Sequence, residues 1–313
     1  MLIIDDVRMA AARIAPYVRK TPLLSARCMR DDPFPDGTLL LKLECLQATG
    51  SFKARGATNK LLSLSEAEIR HGIVTASGGN HGLAVAYVGW LSKTTTTVFV
   101  PENVSPEKAK KIGTWGAHLV IEGQQWHEAN RAALDLAASE SLTYFHPFAD
   151  PLVIAGHGTV GLEILDQAPE VDDILVAIGG GGLISGIAVT AKSLRPSVRM
   201  IGIEPTGSPT LYESVRAGRV VELPEITTCV PTMACAKTEP INLEIVRRYV
   251  DEIVLVTDED MREAARWLWF EMGIATDLSG AASVAALRSG KVRPANGRKV
   301  CALVCGAGPD GMT

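Results

Sequence analysis

No large excess of positive or negative charge marks this chain. Its 31 Lys and Arg stand against 35 Asp and Glu, a net charge of -4 over 313 residues. No basic run marks a surface for nucleic acid or anionic lipid, so neither partner is expected. Long hydrophobic runs are absent too, and none approaches the ~18 residues of a membrane span. The opening residues, MLIIDDVRMAAARI, carry acids where a signal peptide is basic, and read as a short amphipathic helix. Cysteine is sparse: six residues, with no CxxC pair. Cys301 and Cys305 fall on one expected strand, where their Cα atoms would be about 13 Å apart, too far for a disulfide. All six are expected to be reduced, which places the protein in the cytoplasm. The histidines (His71, His81, His118, His127, His146, His157) lack zinc-ligand spacing, and no metal site is expected.

What remains is 47% hydrophobic and 21% charged, ample for a core in one large or two medium domains. Apolar β-rich runs alternate with helical patterns: residues 39–44, 72–77, 96–101, 117–122, 173–180, 199–205, 251–257 and 299–305. Continuous apolar strands separated by helices predict an α/β fold, with parallel sheets covered on both faces. Thr257 and Asp260 form a capping-box pair. Met261, Ala264, Ala265, Leu268 and Met272 follow as one apolar stripe, with Gly273 as the stop. No repeat and no linker interrupts the chain, so two packed α/β lobes with a cleft between them are expected.

Four segments carry chemistry. In Thr49-Gly50-Ser51-Phe52-Lys53-Ala54-Arg55-Gly56, Ser51 is an N-cap candidate that sets Lys53 in a first helical turn. There the helix dipole disfavours an ammonium, and Arg55 would push the same way. A lysine with a lowered pKa suits Schiff-base chemistry, because the neutral amine is the nucleophile. The second segment is Thr75-Ala76-Ser77-Gly78-Gly79-Asn80-His81-Gly82, a strand end before a helix whose small residues let backbone N–H groups approach an anion. The third runs from strand 173–178 into Gly179, Gly180, Gly181 and Gly182 and then a helix. Four glycines in a row serve a geometry, most simply a nest for phosphate. No Lys-Ser/Thr follows, which excludes a Walker A loop. The GxGxxG spacing breaks at Ile184 or Ser185, although Glu204 keeps a dinucleotide reading open. The fourth is Cys305-Gly306-Ala307-Gly308, where the thiol is either a buried hydrophobe or a weak polar contact to a ring nitrogen.

In this order the segments resemble the serine/threonine dehydratase (threonine ammonia-lyase) family of pyridoxal-phosphate (PLP) enzymes, fold type II, the tryptophan-synthase-β group. The resemblance runs through LKLECLQATGSFKARGATNKL, TASGGNHGLAVAY, HPFADPLVIAGHGTVGLEIL, AIGGGGLISGIA, IGIEP and DLSGAASVAAL. It implies two lobes, each a mostly parallel sheet covered by helices. Residues 1–40 and 146–313 would form a large cofactor-binding domain and 41–145 a small substrate-loop domain, with no C-terminal regulatory domain. It implies that Lys53 forms the Schiff base and takes the Cα proton, and that Asn80 bonds the cofactor's phenolic oxygen. Gly179, Gly180, Gly181, Gly182 and Leu183 would hold the phosphate. Ser77, Gly78, Gly79 and His81 would receive the substrate carboxylate, and Cys305 would sit beside the pyridine nitrogen. The implied activity is amino-acid catabolism: dehydration of L-threonine, L-serine or a close analogue to a 2-oxo acid and ammonia, by a homo-oligomer, dimer or tetramer.

Three positions depart from the family pattern. The usual Asp-Gly-Ile-Ala-Val loop is Pro231-Thr232-Met233-Ala234-Cys235, and a glutamate near the cofactor ring is Asp277. The cation site of some relatives would use Glu204 and Ser208, but its third position is Thr210. Other readings are a racemase of the same fold, whose second acid/base serine is here Gly78, and a hydroxyaspartate- or phenylserine-type dehydratase. A β-replacement transferase and a non-catalytic binder are weaker, the last because a binder has no need of Lys53.

Overall fold

The computed structural model describes residues 2–312 apart from Asn103 and Ser105. Along the chain run α1 (Ile4–Ile14), β1 (Leu23–Ala26), β2 (Thr38–Leu43), α2 (Lys53–Leu61), α3 (Glu66–His71), β3 (Ile73–Ala76), α4 (Asn80–Ser92), β4 (Thr96–Val100), α5 (Pro106–Thr114), β5 (His118–Ile121) and α6 (Trp126–Glu140). Then follow β6 (Thr143–Tyr144), α7 (Pro151–Gln167), β7 (Asp173–Ala177), α8 (Gly182–Leu194), β8 (Arg199–Pro205), α9 (Thr210–Ala217), α10 (Pro240–Tyr249), β9 (Glu252–Val256), α11 (Asp258–Met272), α12 (Leu278–Arg288) and β10 (Lys299–Val304).

The strands form two sheets, ordered β1-β2-β10-β7-β8-β9 and β5-β4-β3-β6. Every pairing is parallel except β1 with β2. This is the expected α/β architecture. All eight apolar runs are strands, and β4 and β7 are buried along their whole length, as layers covered on both faces require. One helix group holds α1, α2, α7, α8 and α10, and the other holds α11 and α12. Strands β7 and β8 contact both groups. Strand β2 crosses the 40/41 position where the sequence suggests a division, and all its residues pair in the larger sheet. Strands β1 and β6 carry no apolar pattern of their own. The first is a four-residue antiparallel edge and the second has two residues.

Loops at the C-terminal ends of the parallel strands face the region between the sheets, the usual ligand position in such folds. The loops after β3, β7 and β10 carry Ser77–Asn80, Gly179–Gly182 and Cys305–Gly308.

Candidate active site

Lys53 is the first residue of α2. The chain reaches it through Thr49 and Gly50, both at positive φ, 64° and 83°. Ser51 is not the expected cap. It is drawn into an extended bridge with Gly306, and Phe52 takes the cap position with no side-chain bond. The bridge, reinforced by Ala307 N donating to Gly50 O at 2.8 Å, fixes the lysine turn to the loop after β10. The Lys53 ammonium donates to the Pro147 carbonyl. Burial pushes its pKa down to about 8, while Cys305 and Cys235 push it slightly up. The expected contribution of Arg55 is absent for a plain reason. Arg55 is buried in its own ion pairs, 2.7 Å from Glu44 and 2.7 Å from Glu163, so its charge is matched where it sits.

The two glycine loops meet around shared neighbours. Helix α8 starts behind Gly181, at φ 96°, with no side-chain cap. Among the described residues, the N–H groups of Gly179 to Leu183 have no protein acceptor. The Gly180 carbonyl is turned away from the cleft by Thr238 Oγ1 and Asn242 Nδ2, both at 3.0 Å. A Cβ on Gly180 would lie 2.3 Å from the Phe148 ring, and one on Gly182 2.5 Å from the Phe148 carbonyl oxygen. Gly180 is therefore a glycine first because of Phe148, not because a side chain would point into the anion nest. Helix α4 starts behind Gly79, also without a side-chain cap. The N–H groups of Gly78, Asn80 and His81 likewise have no acceptor among the described residues, while Gly79 N bonds Ser77 Oγ at 3.2 Å. Thr232 touches both loops. Its methyl is 3.9 Å from a Cβ built on Gly79, and its carbonyl oxygen 2.9 Å from one built on Gly179.

Asn80 Nδ2 donates to Asp277 Oδ2 at 3.1 Å. Asp277 caps α12 through Gly280 N and also accepts from Ser279 Oγ, each at 2.7 Å. Burial raises the Asp277 pKa, opposed by these three donors. Cys305 is buried beside Ser279, 3.8 Å from Sγ to Oγ, and burial followed by Asp277 raises its pKa, so it is a neutral thiol. His81 Nε2 donates to Phe145 O at 3.0 Å, and its imidazole is held well below the usual range by burial and then by Lys53.

Two of the three positions named for a cation have their side chains bonded within the protein, and at Ser208, whose carbonyl would be the ligand, the hydroxyl is bonded. The buried Glu204 carboxylate accepts Leu211 N and Tyr212 N at 2.8 Å each, while Ser208 and Thr210 hydroxyls bond the Cys235 backbone. No cluster of His, Cys, Asp and Glu able to hold a metal occurs among the described residues. Several residues of the site carry no sequence signal: Pro147 acts through its carbonyl, Phe148 through its packing, and Asn242 and Thr238 lie about sixty residues from the loop they fix.

The whole constellation suits a flat, anionic aldehyde cofactor. It offers a buried amine inclined to be neutral, one amide-lined helix start for a phosphate, a neutral thiol, and a second helix start for a carboxylate. The sequence profile of the family described as "Pyridoxal-phosphate dependent enzyme" matches residues 14–306. The L-threonine ammonia-lyase of Thermotoga maritima is 36% identical over 310 residues, covering 99% of this chain and 76% of that protein. Among solved structures, maize serine racemase superposes with a TM-score of 0.93 at 32% identity, covering 98% of this chain and 93% of that one. A threonine deaminase from T.th. superposes with a TM-score of 0.91 at 34% identity, covering 97% and 98%.

Proposed function

The chain belongs to the pyridoxal-phosphate-dependent enzymes, and from that premise we propose that it dehydrates a small β-hydroxy amino acid to a 2-oxo acid and ammonia. L-threonine and L-serine are the first candidates. The observation that carries this reading is a buried Lys53, its pKa pushed down to about 8, linked to both uncapped helix starts. It bonds Pro147, next to the Phe148 that packs on Gly180 and Gly182, and its charge acts on His81 of α4. When bound, the cofactor supplies an electron sink for the bond breaking at Cα.

In this reading Lys53 anchors the cofactor, and its neutral Nζ takes the Cα proton of the substrate. Gly179 to Gly182 and Leu183 direct their N–H groups at the phosphate. Ser77, Gly78, Gly79, Asn80 and His81 frame the carboxylate, while Asn80, held by Asp277, turns its amide to the ring oxygen. Cys305, a buried neutral thiol beside Ser279, would be the residue next to the ring nitrogen, where it supplies no negative charge to hold a proton. That hydroxyl leaves as water. Water then replaces the amino nitrogen, so one substrate gives one 2-oxo acid and one ammonia. The larger sheet and its helices carry the phosphate loop and Cys305, while the segment 41–145 contributes Lys53, Asn80 and the substrate loop. Six unpaired cysteines support a reducing, cytoplasmic setting, and a homo-oligomer is part of the proposal.

A racemase is the second reading, favoured by the superposition on maize serine racemase. Gly78 stands against it, since it brings no side chain to the face opposite Lys53. A Cβ there would already lie 2.9 Å from Val104.

The test is direct. Purified protein should absorb in the visible, and borohydride should make the cofactor's link to the Lys53 peptide permanent. L-serine or L-threonine should yield 2-oxo acid faster than D-enantiomer. Label on another lysine, or D-serine formed faster than pyruvate, overturns the assignment.

A further inference from the structure

Helix α7 touches both halves of the site through three consecutive residues, Gly156, His157 and Gly158. A Cβ on Gly156 would lie 2.6 Å from Arg55 O and 2.7 Å from Gly56 Cα, so α7 is in backbone contact with the Lys53 helix. A Cβ on Gly158 would lie 2.9 Å from Gly186 O, so α7 is also in backbone contact with α8, the helix behind the four-glycine loop. The imidazole between them is fully buried, and neither ring nitrogen has a hydrogen-bond partner. Nε2 is 2.5 Å from a Cβ built on Gly56, the ring meets Phe52 edge-on at 4.8 Å, and the Gly182 backbone lies close enough to favour a proton on the ring. Phe52 and Gly56 bracket Lys53, and Gly182 opens α8.

We propose that His157 is a positioning residue, whose ring sets the spacing between the turn that carries Lys53 and the helix start that holds the cofactor phosphate. The inference rests on the PLP reading above. Two unsatisfied nitrogens in a dry core lower stability with no return in hydrogen bonding. A leucine of similar bulk would avoid that cost, so what the ring contributes is its shape, edge-on to Phe52 and close against Gly56 and Gly182. Gly56 fits the same account, since any larger residue would push the ring toward Gly182. The imidazole stays neutral: burial, then Lys53, hold it well below its usual range. His81 and Arg55 also oppose a proton, and the Gly182 backbone alone favours one. His157 therefore adds no charge beside Lys53 in the neutral range.

The experiment compares native protein with His157→Leu and His157→Gln. It reads PLP affinity of the apoprotein, the melting point of the apoprotein, the pH titration of the bound cofactor's visible absorbance, and kcat and KM for L-serine. A misplaced anchor predicts about tenfold weaker PLP binding and about tenfold lower kcat in His157→Leu, with KM nearly unchanged. The visible titration should shift, the apoprotein melting point should be equal or higher, and His157→Gln should recover part of the loss. PLP affinity, titration and kcat all within twofold of native overturn the proposal. So does a fall in melting point with those three unchanged, which is the signature of a merely structural histidine. If His157→Leu does not fold, His157→Gln is judged by the same readouts. Failure of borohydride to label Lys53 in native protein would instead sink the functional reading itself.

Discussion

Helix α11 and helix α8 begin in opposite ways. At α11 the Thr257 hydroxyl accepts from Asp260 N at 3.0 Å and the Asp260 carboxylate accepts from Thr257 N at 2.8 Å. At α8 the cap is Gly181, which has no side chain to offer, and the amides behind it have no protein acceptor among the described residues. One end is completed by its own sequence. The other leaves donors that cost stability unless something else accepts them. The start of α4 is of the second kind, behind Gly79; α2 also lacks a side-chain cap at Phe52, but its Ala54 and Arg55 N–H groups donate to the Ser51 and Phe52 carbonyls. The starts of α3 and α7 are of the first, capped by Ser65 and Asp150. The starts of α4 and α8, at the two glycine loops, thus differ from those closed by the side chain of their own cap residue.

Substitutions can break this contrast. The largest effect is expected for Lys53→Ala, which should lower turnover by about 10²–10⁴-fold, the range lost with a general base, while the melting point of the apoprotein changes little. Turnover within tenfold of native would remove Lys53 from the chemistry. Next comes pH. With a pKa of about 8 instead of 10.5, the neutral fraction of Lys53 rises through pH 6 and 7 and levels near 8. Capture of PLP by apoprotein should therefore climb about tenfold per unit below that point and then flatten. A climb continuing toward 10 would show an ordinary lysine.

Selectivity should respond more modestly. Thr232→Gly removes the methyl that lies 3.9 Å from the Gly79 Cβ position. It should alter the ratio of kcat/KM among L-serine, L-threonine and 3-phenylserine by no more than roughly 10–200-fold, the scale of an apolar pocket contact. An unchanged rank order would show that this loop does not line the side-chain pocket. Gly180→Ala should weaken PLP binding about tenfold by displacing Phe148, a loss on the scale of a misplaced binding group. Gly113→Ala on α5, where a Cβ meets nothing within 4 Å, should leave binding alone. The smallest effect belongs to the finished end. Thr257→Ala should cost about 1 kcal/mol of stability, seen in thermal or denaturant unfolding, with PLP affinity and turnover unchanged. A loss of affinity there would erase the distinction between the two kinds of helix start.

What the chain determined locally is legible in its letters. The eight strands follow from apolar runs: β3, β4 and β7 are covered on both faces and have no polar side to show, while the edge strand β5 is apolar yet not buried. The α11 cap follows from Thr257 and Asp260, because both partners lie within one turn. The four glycines mark a tight turn before a helix, and the six segments that point to a PLP enzyme lie in order along the chain. What only the tertiary structure decided are relations between distant segments. Ser51 looked like a cap and became half of a bridge to Gly306, 255 positions away, because the loop after β10 competes for its backbone. Arg55 looked like a charge beside Lys53 and is matched by Glu44 and Glu163, which only the packing of α2 on α7 brings to it. Gly180 yields to Phe148, Asn80 is held by Asp277, and His157 spans two helices. Short-range hydrogen bonds and periodic burial are written in neighbouring residues. Desolvation, ion pairing and close backbone contact depend on what the rest of the fold places alongside.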